Sequence, residues 1–87
     1  MKLTAIQYHV LRTLLNHQEG LGMQDLDRKM IRKFSPYIVS RDLGACFTDL
    51  SSMGLIARTE RRVYCLTPLG KEHLDQHSPP PEHSENG

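Results

Sequence analysis

Residues 51–70 read SSMGLIARTERRVYCLTPLG, a stretch in which one helix closes, two short strands pass and another helix opens. Gly54 stops the preceding helix, because the left-handed residue just past a helix end is usually glycine. Beyond it the apolar period shifts towards two. Ile56 is followed by Arg58, and Val63, Tyr64, Cys65 and Leu66 supply the β-branched and aromatic side chains that suit a strand. Two strands with a tip near Glu60 and Arg61 result, although the tip lacks the Asn-Gly or glycine-rich pair that a tight hairpin prefers. Thr67-Pro68 then opens a helix by the cap-then-proline rule, running through Lys71 and Leu74 to about His77. The hairpin carries three arginines, Arg58, Arg61 and Arg62.

Upstream of Gly54, Val39, Leu43, Cys46, Phe47, Leu50 and Met53 keep the helical period and define the buried side of a third helix. Arg41, Ala45, Thr48 and Ser52 fall on the opposite side. This helix starts either at Pro36, a favoured first helical residue, or at Ser40, a good cap. Before it, Leu26, Met30 and Phe34 form the inner stripe of a second helix, capped by Gly22 and with Asp25 favourable to the dipole in its first turn. Ser35-Pro36 stops that helix near Phe34, because proline disfavours a helical residue before it. The first helix begins at Thr4, where Thr4 and Gln7 have capping-box spacing and Leu3 and Tyr8 stand as a hydrophobic staple. Ile6, Val10 and Leu14, flanked by Leu11 and Leu15, carry its apolar face to about His17 or Gln18, and Gly20 ends it. The order is helix, helix, helix, strand, strand, helix: a mainly α chain with a small β-hairpin, folded as one domain over residues 1–77. The tail 78–87, SPPPEHSENG, is rich in proline, serine and glutamate and reads as disordered.

A chain of 87 residues holds one domain at most and a thin core. It has no run of eighteen apolar residues, which excludes a helical membrane span. Met1-Lys2-Leu3-Thr4 lacks the apolar stretch of a secretory signal, so the expected location is cytoplasmic. Cys46 and Cys65 fit that compartment as free buried thiols. The net charge of +1 hides an uneven distribution. Between Arg28 and Arg62 there are eight basic residues (Arg28, Lys29, Arg32, Lys33, Arg41, Arg58, Arg61, Arg62) against three acidic ones (Asp42, Asp49, Glu60).

At Leu50, Gly54, Leu55, Ile56 and Arg58, followed by Leu66, Thr67 and Gly70, the chain resembles winged helix-turn-helix proteins of the MarR and PadR type, over about residues 4–77. The resemblance implies three helices, a two-stranded wing and a short C-terminal helix. It also implies a sequence-specific double-stranded DNA-binding regulator of transcription that works as a homodimer on two-fold-related half-sites. The third helix would enter the major groove, with Ser40, Arg41, Ala45 and Thr48 facing bases or nearby phosphates and Arg41 the reader of guanine. Arg58, Arg61 and Arg62 would hold the backbone or minor groove from the wing, and Arg28, Lys29 and Lys33 would add phosphate contacts from the second helix. No cofactor is implied.

The alternative comes from the same fold, since winged helices also serve as protein-interaction modules. The third helix carries Asp42 and Asp49 against Arg41 alone, a slightly acidic surface that suits a protein partner, as in a small adaptor or a phage-type inhibitor. Charge runs such as Arg28 to Lys33 also serve simply as solvated faces. His73 and His77 lie four apart on the last helix, but no third ligand is placed beside them to complete a metal site. Gly20-Leu21-Gly22 has no strand before it and no third glycine, so it is no dinucleotide fingerprint. Tyr37, Phe47 and Tyr64 are scattered, and Phe47 reads as core rather than as part of a base-stacking platform. With no nucleophile elbow, metal motif or phosphate cradle, the chain is not expected to be an enzyme.

Overall fold

The structure, a computed structural model, describes residues 3–76. His77 and the tail from 78 lie outside the described residues. Among the described residues four helices and two strands follow one another as α1 (Ala5–Leu15), α2 (Met23–Met30), α3 (Pro36–Ser52), β1 (Ile56–Arg58), β2 (Tyr64–Leu66) and α4 (Pro68–Gln76). The chain is mainly helical with a small antiparallel sheet, as its periodicity implies.

α1 opens on the anticipated capping box. Thr4 Oγ1 accepts from the Gln7 amide at 3.2 Å, and Gln7 Oε1 accepts from the Thr4 amide at 2.9 Å. These two bonds satisfy donors that a helix start otherwise leaves orphaned. The helix ends at Leu15, short of the expected His17 or Gln18. The last turn tightens there: the His17 amide bonds to Leu14 O, three residues back, and Gly20 turns the chain at a φ of 94°.

Leu21 then does something the sequence does not announce. It exchanges two backbone hydrogen bonds with Tyr64, at 3.0 and 2.7 Å, so β2 has Leu21 on one edge and β1 on the other. This close approach explains Gly20, where a Cβ would stand 2.7 Å from Val63 Cγ2 and 2.8 Å from Cys65 Sγ.

α2 stops at Met30, four residues before the expected end near Phe34. Ser35 must be extended for Pro36 to start the next helix, and its ψ of 149° shows that it is. The chain leaves α2 at Met30 and returns Phe34 to the core through a turn in which the Phe34 amide bonds to Met30 O at 2.8 Å. Of the two starts open to α3, Pro36 is the one taken: Ser35 Oγ accepts from the Ile38 amide at 3.2 Å, and Ser40 lies inside the helix. The connection between α2 and α3 is thereby only Ile31–Ser35.

α3 closes in a Schellman motif. Leu55 N bonds to Leu50 O, Gly54 N bonds to Ser51 O, and Gly54 has a φ of 75°. Leu50 and Leu55, the positions that pair in this cap, are both buried in the same core cluster. β1 and β2 pair with Ile56 opposite Leu66 and Arg58 opposite Tyr64. β2 begins at Tyr64 rather than Val63.

The core gathers the expected stripes: Ile6, Val10, Leu11 and Leu14 from α1, Leu26 and Met30 from α2, and Val39, Leu43, Cys46, Phe47 and Leu50 from α3. Met53 and Leu15 pack at its margin. Leu74 of α4 closes it, brought in where Gly70 lies against the Leu55 backbone. Among the described residues no polar or charged side chain is buried. No helix among them is long and apolar enough to cross a membrane.

Candidate nucleic-acid interface

The solvent side of α3 follows directly from its buried side. Arg41, Ala45, Thr48 and Ser52 recur at helical spacing and are exposed, while Val39, Leu43, Cys46 and Leu50 point inwards. Ser40 is exposed one turn from the N-terminus. Arg41 and Ala45 share a groove of about 390 Å³ with Thr4, Gln7, Asp42 and Asp49, so the start of α1 forms one of its walls. Ser40 and Thr48 are not among its lining residues. Thr48 Oγ1 instead donates to Gly44 O at 3.2 Å, a bond within its own helix.

Arg41 is the most constrained cation of this surface. Its Nε donates to Asp42 Oδ1 at 2.8 Å and its Nη2 donates to Asp42 Oδ2 at 2.9 Å. The guanidinium carbon stands 5.3 Å from the centre of the Tyr37 ring, one helical turn back. The bidentate bond from Asp42, helped by Tyr37, lifts the Arg41 pKa further above its ordinary value. Reciprocally, the hydrogen bond from Arg41 holds the Asp42 carboxyl below the usual range. Adjacent residues diverge on a helix, so spacing does not reveal this pair. The spacing of Tyr37 and Arg41 was readable.

The hairpin is fastened to α3 by a ring stack. Phe47 and Tyr64 lie 4.6 Å apart, centre to centre, with their planes 6° from parallel. Arg58 is directly opposite Tyr64 in the ladder, and residues facing each other across an antiparallel pair leave the sheet on the same side. Arg58 therefore projects on the side of the hairpin that lies against α3. At the tip, Arg62 N bonds to Thr59 O at 2.9 Å and Thr59 N bonds to Val63 O at 2.8 Å. This is a three-residue loop ending in a left-handed residue, and that residue is Arg62, at a φ of 65°. Arg58, Arg61 and Arg62 are all exposed. Among the described residues no carboxylate comes within ion-pair distance of them.

The α2 cations form a separate group. Arg28 and Lys29 line a groove of about 340 Å³ with Arg32, His17, Leu21 and Asp25, and Leu21 connects this groove to β2. Arg28 makes an exposed ion pair with Asp25 at 3.6 Å. Arg32 was not among the contact residues implied by the resemblance, yet it belongs to this cluster. Lys33 is exposed in the turn after α2 and does not line the groove.

Of the two thiols, Cys46 is buried as expected and Cys65 is only half-buried. Burial, with Asp49 and Asp42 nearby, pushes the Cys46 thiol up to about 12. Among the described residues no cluster of histidine, cysteine or carboxylate side chains is arranged to hold a metal ion. No family model, curated protein or solved structure matches this chain.

Proposed function

We propose that the chain is a winged helix-turn-helix regulator of transcription, similar to the MarR and PadR type, that binds double-stranded DNA. In this reading α3 enters the major groove and the β1–β2 hairpin is the wing, resting on the backbone or in the minor groove. The observation that carries it is the hairpin with its exposed Arg58, Arg61 and Arg62, fastened to α3 by the Phe47–Tyr64 stack. The exposed arginines of the hairpin and the Arg28, Lys29 and Arg32 cluster of α2 suit a polyanion, whose bound counterions they would release. The strand-like contact of Leu21 on β2 also supports this architecture, since it gives the sheet a third member between the first two helices. The protein is a binding module rather than an enzyme, cytoplasmic, and a homodimer on half-sites about one helical turn apart.

A salt titration of binding to random-sequence duplex DNA tests this. Affinity should fall steeply with salt, and replacing Arg58, Arg61 and Arg62 together by alanine should lower the slope of log K against log salt by about 2 to 3. An unchanged slope removes the wing from the interface.

A second reading, a protein-interaction module that does not bind DNA, is favoured by one observation. Asp42 neutralises Arg41, which leaves Asp49 to make the α3 groove net acidic. It requires no duplex binding at any salt and a protein partner released by changing Asp42, Thr48 or Asp49.

A further inference from the structure

We propose that Asp42 is a positioning residue that fixes the Arg41 fork to read a single guanine; this rests on the DNA-binding reading above. Asp42 takes the side-on edge of the guanidinium, the Nε and Nη2 hydrogens. The end-on edge, with one hydrogen on each Nη, points away from the carboxylate. Two parallel donors on that edge match the O6 and N7 acceptors of guanine, the only base offering two adjacent acceptors in the major groove.

The remaining geometry serves the same end. The Tyr37 ring under the guanidinium restricts its tilt, and Asp42 restricts its rotation. The Arg41 side chain is 55% exposed, so a ligand can reach it. A free arginine loses much rotamer freedom on binding, whereas a fork already held by two bonds and a ring loses little. The pair carries no net charge. Asp42 therefore weakens sequence-independent attraction to phosphates while sharpening the response to one base.

Those two effects have opposite signs, which makes the proposal testable. The parent protein, Asp42→Asn, Asp42→Glu and Arg41→Ala would each select from a pool of random duplexes, with melting temperatures measured alongside to show that all are folded. The parent should prefer guanine at one position of each half-site by roughly tenfold or more, a preference that Arg41→Ala abolishes. Asp42→Asn should reduce that preference at least about fivefold, leave the other positions unchanged, and bind random DNA more tightly with a salt slope steeper by up to about 1. Asp42→Glu should recover part of the preference. Retained or sharpened guanine selection in Asp42→Asn overturns the proposal, because Asp42 would then be a bystander or a competitor, while the DNA-binding reading stands. A parent that binds no duplex at any salt overturns both.

Discussion

Thr67 Oγ1 donates a 2.6 Å hydrogen bond to the carbonyl of Gly54, thirteen residues earlier in the chain. The same oxygen accepts from the Gly70 amide at 2.9 Å, and the Thr67 amide bonds to Leu55 O at 3.1 Å. One threonine thus closes the end of α3, secures the entry to β1 and caps α4. Thr67→Val keeps the shape and removes both hydroxyl bonds. It should cost about 1–2 kcal/mol in urea unfolding, while Thr67→Ser should cost less than half of that. A valine variant as stable as the parent would show that the hydroxyl ties nothing together.

Arg62 holds a left-handed conformation that glycine adopts without strain. Arg62→Gly should therefore stabilise the fold by about 1 kcal/mol and raise the melting temperature by several degrees. The same change removes one wing cation, so duplex affinity should fall while stability rises. Thermal melting and a binding titration on one sample would show the two moving apart.

Gly44 and Gly70 should respond to alanine with opposite signs. At Gly44, on the outer side of α3, a Cβ meets nothing within 4 Å, so helix propensity alone acts and stability should rise by about 0.5–1 kcal/mol. At Gly70 a Cβ would collide with the carbonyl of Leu55, an atom of the backbone, and with Leu66 Cδ1 at 2.8 Å. Forcing α4 away from Leu55 and Leu66 should cost about 2–3 kcal/mol or more. Urea midpoints of the two single variants check both.

Cys46 should make the protein sensitive to alkali. Its thiol ionises near 9.0 in an ordinary setting and near 12 when folded, so above pH 9 the unfolded chain loses a proton that the folded chain keeps. Stability attached to this group is complete below pH 9 and is lost as pH rises towards 12, at up to about 1.4 kcal/mol per pH unit. Cys46→Ala removes that dependence. The parent's advantage over this variant should shrink by about 1 kcal/mol or more between pH 9 and 11 in urea unfolding. At neutral pH an alkylating reagent should modify Cys65 long before Cys46.

What could be read from the sequence was what short-range chemistry specifies. The Thr4–Gln7 box, the apolar stripes of α1 and α3 and the Gly54 stop each depend on residues within one or two turns, and each stands where its spacing put it. Helix ends were less legible. α2 stops at Met30, short of the end near Phe34 that the Ser35-Pro36 rule sets, and the turn between them has no periodic pattern to encode it. The Leu21–Tyr64 bridge joins residues far apart in sequence, and a single residue has no alternation to reveal it. At the proposed interface the exposed positions of α3 were legible as the complement of its buried face. The pairing of Arg41 with Asp42 was not, since neighbours on a helix normally point apart and only the long arginine side chain lets them meet.

The position of Leu21 has a consequence for how copies of this chain behave towards one another. With Leu21 bonded to Tyr64 on one flank and β1 on the other, β2 is guarded on both sides at Tyr64, and among the described residues the outer edge of β1 has no strand beside it. That border is three residues long and carries the Arg58 charge, which is too short and too repulsive to template growth into fibrils.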